Sequence, residues 1–181
     1  MDDQHDRERA SGEADRGEAD QREGARGPAS PEPLTGALPP PPGRLLARVE
    51  EVLEVRLPAA YREFLARGNG GRPRAEHYVD GTTGALGRVA AFLPLAPGAP
   101  DSVFEALERH GERLPPGTLP IARDPAGNLL LLAVGEPWSG EVLLWNAADE
   151  PEEDAEGNVT WTNVHAVAAD FAELLRRFVA D

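Results

Sequence analysis

Apolar residues from Gly43 onward fall first into helical and then into strand-like spacings. Between Arg44 and Val55, the residues Leu45, Leu46, Val49, Val52 and Leu53 recur every three or four positions and give a helix one dry face. A second helix follows, carrying Tyr61, Phe64 and Leu65 on one side. Pro58 stands where a first-turn proline costs no hydrogen bond, and Gly68-Asn69-Gly70-Gly71 supplies residues that tolerate positive φ where the helix must stop. The two helices are expected to pack together. Residues Arg72 to Leu86 are rich in turn formers, including Asp80-Gly81-Thr82-Thr83-Gly84, and predict a loop with a short strand at His77 to Val79. Arg88 to Leu93 predicts a further strand. Asp101 or Ser102 can cap a helix through Arg109, with Val103, Phe104 and Leu107 facing inward and Gly111 beyond its end.

The period then changes. Leu119 to Arg123, Asn128 to Val134 and Glu141 to Asn146 are short, apolar and separated by turns containing Gly or Pro, which predicts an antiparallel meander. Leu129 to Leu132 has helical propensity, but its bounding turns leave too few residues for a stable helix. Val159 to Val164 predicts an extended piece, and Asp170 starts a helix through Val179 with Phe171, Leu174, Leu175 and Phe178 on one stripe. Together these predict a single α+β domain over residues 43–181: an antiparallel sheet of about four to six strands, with helices on its N-terminal side and one helix closing the chain. Residues 1–42 have few apolar side chains apart from Leu34 and Leu38 and end in the run Pro39 to Pro42. Such a segment cannot offset roughly 1–2 kcal/mol per residue of backbone ordering, so it is expected to be a disordered acidic tail rich in Pro and Gly.

The stretch Leu57-Pro58-Ala59-Ala60-Tyr61-Arg62-Glu63-Phe64-Leu65-Ala66-Arg67-Gly68-Asn69-Gly70-Gly71 closely resembles the LPxxYxxFLxxxNGG signature of the SUKH superfamily, which includes bacterial immunity proteins and fungal cell-wall-assembly regulators. Two further blocks fall in the order of that family. Leu119-Pro120-Ile121-Ala122-Arg123-Asp124 with Gly127-Asn128-Leu129-Leu130 resembles its strand pair, and Gly140 to Asn146, containing Trp145, resembles its next strand. The resemblance implies that Leu57, Pro58, Tyr61, Phe64, Leu65, Asn69, Gly70, Gly71 and Trp145 are mainly structural. It also implies a non-enzymatic domain that binds another protein. Bacterial members often neutralise a cognate toxin, commonly a nuclease, by stoichiometric binding; the fungal branch implies instead a regulatory or scaffolding module. The sequence departs from the family pattern in residues 1–42 and in the acidic insertion Asp149 to Gly157.

Charge narrows the partner. The chain carries 32 acids against 18 basic residues, all arginine, for a net charge of -14. Residues 1–42 hold 10 of the acids and 5 of the arginines, so residues 43–181 keep a net charge of -9. No basic stripe exists to neutralise phosphates, so direct nucleic-acid binding is not expected, and a basic protein such as a nuclease toxin is the natural complement. With no cysteine there is no disulfide framework. Asp2, Asp3, Asp6 and Glu8 stand where a secretory leader needs basic and then apolar residues, and no apolar run is long enough to span a membrane, so a cytoplasmic location without membrane association is expected. Oligomeric state leaves no mark in the sequence.

No catalytic group, metal site or cofactor motif stands out. The histidines His5, His77, His110 and His165 are scattered without a metal-binding spacing, and His110 is expected to interact with the C-terminal dipole of its helix. The run Asp149, Glu150, Glu152, Glu153, Asp154 and Glu156 lacks the alternation of a calcium loop. It reads either as a solvated hairpin tip or as a docking loop for a basic partner, mobile on its own because its carboxylates repel one another. Trp161 beside it and Trp138 in the turn Glu136 to Gly140 are either interface anchors or local packing.

Overall fold

A computed structural model of the chain describes residues 29–136, 138 and 140–180. Two helices, α1 (Gly43–Val52) and α2 (Ala59–Arg67), precede three short strands, β1 (His77–Val79), β2 (Leu86–Arg88) and β3 (Ala91–Phe92). Helix α3 (Val103–His110) runs into a single 3₁₀ turn and is followed by β4 (Thr118–Arg123), β5 (Leu129–Ala133) and β6 (Val142–Trp145). The chain continues through β7 (Glu152–Glu153), β8 (Val159–Thr160), β9 (Val164–Ala168), α4 (Phe171–Arg176) and β10 (Phe178–Val179). The α+β class and the antiparallel meander are as the sequence predicts. The main sheet has the order β3-β4-β5-β6-β9, a small sheet has the order β10-β1-β2, and β7 and β8 form a separate hairpin.

The meander is strand and not helix because its main-chain groups are paired on both sides. Leu130 of β5 stands opposite Ala122 of β4 and opposite Leu144 of β6, and every residue of β5 is buried. Continuous burial explains why this central strand is an unbroken apolar run and not an alternating one. Pro120 lies inside β4, where it cannot donate to the ladder, and the register shifts between Pro120 and Ala122 to absorb that missing donor.

An aromatic cluster joins the signature helix to both sheets. Phe64 of α2 lies 5.2 Å from Phe171 of α4 and 4.8 Å from Phe92 of β3, between ring centroids. Phe92 reaches Phe178 of β10 at 6.2 Å, and Phe178 reaches Tyr78 of β1 at 6.0 Å. This cluster explains one departure from the expected elements. Phe178 satisfies the helical stripe of Phe171, Leu174 and Leu175, yet α4 stops at Arg176, and residues 178–179 pair with His77 and Tyr78. The strand buries Phe178 completely and also gives β1 a neighbour.

Other boundaries also moved. The extended piece expected at Val159 to Val164 is divided between β8 and β9, because residues 159–160 pair with β7 and residues 164–168 pair with β6. Residues 88–93 split likewise between the two sheets. Val103 and Ala106 are buried on α3, whereas Phe104 and Leu107 are only partly covered and line an apolar groove against Leu45, Val49 and Val52 of α1.

Residues 29–42, expected within a disordered tail, are tied to the domain by their backbone. The Ala29 N–H donates to the Phe178 carbonyl (2.9 Å), the Arg74 N–H donates to the Pro31 carbonyl (2.8 Å), and Thr35 and Leu38 bridge to Arg72 and Asn69. Main-chain pairing of this kind is blind to side-chain polarity, so a scarcity of apolar residues did not reveal it. The rest of the expected tail, residues 1–28, lies outside the described residues.

Candidate protein-binding surface

Asp149 to Gly157 leads into and turns the β7–β8 hairpin, which stands on a braced base. Where β6 ends, the Asn146 N–H donates to the Asn163 carbonyl (2.9 Å), the Ala147 N–H donates to Asn128 Oδ1 (3.0 Å), and Asn163 Nδ2 donates to the Asp149 carbonyl (2.9 Å). Arg113 supplies the strut. Its guanidinium stacks over the Trp145 ring at 5.2 Å, donates to the Ala147 carbonyl (3.1 Å) and pairs with the Glu150 carboxylate. Asn146 Nδ2 also donates to the Asp149 carboxylate. Two of the six candidate carboxylates are thereby committed to the base.

Beyond the base, Glu152 stands opposite Thr160 and Glu153 opposite Val159. The tip is organised by Asp154. Its Oδ1 accepts from the N–H groups of Glu156 (3.0 Å) and Asn158 (2.8 Å), and its Oδ2 accepts from Asn158 Nδ2 (2.8 Å). These hydrogen bonds, led by the Asn158 side chain and then its N–H, outweigh desolvation and hold the Asp154 carboxyl below its usual range. The same turn joins β4 to β5. There Asp124 Oδ1 accepts from the N–H groups of Ala126 (2.8 Å) and Asn128 (2.9 Å), and Asn128 Nδ2 donates back to Oδ2 (2.8 Å). Asp124-Pro-Ala-Gly-Asn128 and Asp154-Ala-Glu-Gly-Asn158 share an Asp-x-x-Gly-Asn pattern that was readable in the sequence and marks both tips. Of the two readings of the acidic run, the solvated hairpin tip describes the conformation found.

Glu152, Glu153 and Glu156 remain. All three are exposed, and among the described residues their side chains have no ion-pair or hydrogen-bond partner. Val159, exposed to 46 %, lies beside them. The register that sets Val164 opposite Trp145 places partly buried Trp161 at the same end of the sheet as this hairpin. Trp138 precedes β6 and packs partly against the core at the other end, so the structure does not gather the two candidate indoles into one surface.

Most of the signature residues are buried. Leu57, Tyr61, Phe64 and Leu65 are each 1 % exposed and Trp145 is fully buried. Pro58 precedes the first residue of α2. Asn69, 2 % exposed, clamps the following segment by accepting from the Leu95 N–H (2.7 Å) and donating to the Leu95 carbonyl (3.3 Å). Gly70 and Gly71 take φ values of +71° and +114°, as the turn requires, and a Cβ at Gly70 would lie 2.6 Å from the Pro94 nitrogen.

One histidine sits differently from expectation, and a second makes a contact between the sheets. His110 ends α3 but packs on Trp145 with ring centroids 5.3 Å apart, and burial, then Arg109 and Arg113, push its pKa down. A helix C-terminal dipole alone would act in the opposite direction. His165 of β9 meets nearly buried Asp80 at 3.0 Å, a contact across the two sheets that a separation of 85 positions conceals. Burial raises the Asp80 pKa, but the N–H groups of Thr83 and Thr82 and the His165 ring outweigh it and hold the carboxyl below its ordinary value. Among the described residues no three His, Asp or Glu side chains are grouped to hold a metal ion, and no helix is long and apolar enough to cross a membrane.

The model of the SMI1 / KNR4 family (SUKH-1) matches residues 40–177, in agreement with the resemblance carried by the signature and strand blocks. No curated protein matches the chain.

Proposed function

The chain belongs to the SMI1 / KNR4 family (SUKH-1), and on that basis we propose that it is a non-enzymatic protein-binding domain acting in the cytoplasm as an immunity protein. In this reading it neutralises a cognate toxin by stoichiometric binding, without a cofactor or metal. The observation that carries the proposal is the β7–β8 hairpin, which holds Glu152, Glu153 and Glu156 without a partner among the described residues on a base fixed by Arg113 and Trp145. A surface of this sign suits a basic partner, and a nuclease is basic where it receives its own polyanionic substrate. The hairpin also lies in the insertion that departs from the family pattern, where a protein choosing among related partners needs a surface of its own.

The test is to mix the purified chain with the basic effector encoded beside its gene. A one-to-one complex that abolishes the effector's activity is expected. A complex that leaves the activity intact would point instead to a regulatory or scaffolding module, and absence of a complex would refute the toxin reading.

A further inference from the structure

Residues 29–38 lie along residues 69–72, immediately after the signature helix. Gly71 turns both main-chain groups inward and exchanges hydrogen bonds of 2.9 and 2.8 Å with Phe92, so residues 69–72 prolong the main sheet past β3. Asn69 and Arg72 turn theirs outward. Asn69 exchanges bonds of 3.0 and 3.1 Å with Leu38, and Arg72 exchanges bonds of 2.8 and 2.9 Å with Thr35. The chain's own segment thus covers this edge through two isolated antiparallel bridges, with Gly36 turning at φ +72° between them.

The segment is held by its backbone and by Ala29 and Leu34, which pack partly against the core. Apart from the bridges and the bonds at Ala29 and Pro31, it makes an ion pair from Glu32 to Arg67 (2.8 Å). Among residues 29–38 only Pro31 is buried, and Leu38 is 39 % exposed. Cavities of about 350 and 420 Å³ flank it, one beside Leu34, Ala37 and Gly68 and the other beside Leu38, Phe92 and Pro94. The approach is close: a Cβ at Gly71 would lie 2.9 Å from the Thr35 carbonyl oxygen, and one at Gly68 would lie 3.3 Å from Ala37 Cβ. Main-chain donors and acceptors occur on every non-proline residue, so another segment can satisfy the same edge. The glycines and Arg67 set its side-chain requirements.

We propose that residues 69–72 form a peptide-docking edge that residues 29–38 close in cis. The edge accepts a segment of another protein that offers main-chain groups at the same two bridges, a small residue facing Gly68 and a carboxylate within reach of Arg67. Pro39 to Pro42, between the last paired residue and α1, lets the strap leave without disturbing the helix. A tethered strap competes at a high effective concentration, so an added peptide binds weakly until the strap is loosened. This site is separate from the acidic hairpin and does not depend on the toxin reading.

The test uses the full chain and, as probe, a fluorescein-labelled synthetic peptide with the sequence of residues 29–40. The double variant Thr35→Pro/Leu38→Pro removes the two strap N–H groups that donate to Arg72 and Asn69, whereas Thr35→Ala/Leu38→Ala keeps them. By fluorescence anisotropy the proline variant is expected to bind the peptide at least about tenfold more tightly than the unaltered chain, with the alanine variant matching the unaltered chain. In the unaltered chain the amides of Asn69 and Arg72, bonded to the strap, should be about tenfold less protected from hydrogen exchange than that of Gly71, bonded to β3. Equal peptide affinity in all three chains would overturn the proposal. So would equal protection of the three amides, and that comparison decides alone should the proline variant not fold.

Discussion

Replacing Phe64 by Ala probes whether the signature helix is the keystone of the core. The side chain is 1 % exposed, and its ring lies 6.5 Å from Tyr61, 5.2 Å from Phe171 and 4.8 Å from Phe92, counted between centroids. Truncating a buried phenylalanine typically costs roughly 3–5 kcal/mol, comprising the lost transfer free energy and the cavity left behind. The close contacts with Phe171 and Phe92 belong to different elements, and each aromatic pair adds about 0.5–1.5 kcal/mol beyond area burial, which favours the upper part of that range. A loss of about 4 kcal/mol corresponds to a fall in Tm of roughly 8–16 °C for a chain of this size. Urea unfolding followed by far-UV circular dichroism measures it, with an unchanged slope showing that the loss is in stability and not in the extent of unfolding. A cost below about 1.5 kcal/mol would mean that the site collapses around the deletion and would refute the keystone role.

Gly70→Ala and Gly84→Ala separate two costs: both glycines have φ of +71°, but a Cβ at Gly84 meets nothing within 4 Å, whereas one at Gly70 meets the Pro94 backbone. The Gly84 variant should lose about 1–2 kcal/mol and the Gly70 variant clearly more, and equal losses in chemical denaturation would remove the steric argument for the signature glycine. Asp80→Asn should cost roughly 1.5–3 kcal/mol at neutral pH, because it removes the charge that accepts from Thr82, Thr83 and His165. Since the folded carboxyl titrates below its ordinary value of 3.8, its contribution is present above that pH and is lost as the pH falls through the folded value. The stability gap between the two proteins should therefore close only in acid, and a gap that closes instead between pH 5 and 7 would contradict this assignment.

Local pattern carried much of the fold. The spacing of Tyr61, Phe64 and Leu65 predicts α2, and Gly70 and Gly71 beyond it have the positive φ expected of them, whereas Gly68, which caps the helix, is extended. Ser102 caps α3 by accepting from the Glu105 N–H, one of the two caps considered. What stayed hidden depended on partners distant in sequence. Phe178 fits a helical stripe as well as a strand, and only β1 and the aromatic cluster decide between them. Thr35 and Leu38 belong to the domain through their main chain, to which composition is insensitive. At the candidate surface, the acidic run was evident, but the brace from Arg113 to Glu150 spans 37 positions, so the division into braced and unpartnered carboxylates needed the fold.

Under the proposed function, attraction of a basic protein runs through Glu152, Glu153 and Glu156 of the hairpin. Its most direct test is the association rate of the chain with its cognate effector, measured by stopped flow for the unaltered chain and for the variant Glu152→Gln/Glu153→Gln/Glu156→Gln across a salt series. The unaltered chain should associate fast at low salt and slow steeply as salt passes about 0.15 M, where the screening length is near 8 Å. The variant should associate about tenfold more slowly at low salt, with a shallower salt dependence and unchanged thermal stability, since none of the three side chains has an internal partner among the described residues. An association rate and salt dependence equal to those of the unaltered chain would refute that attraction.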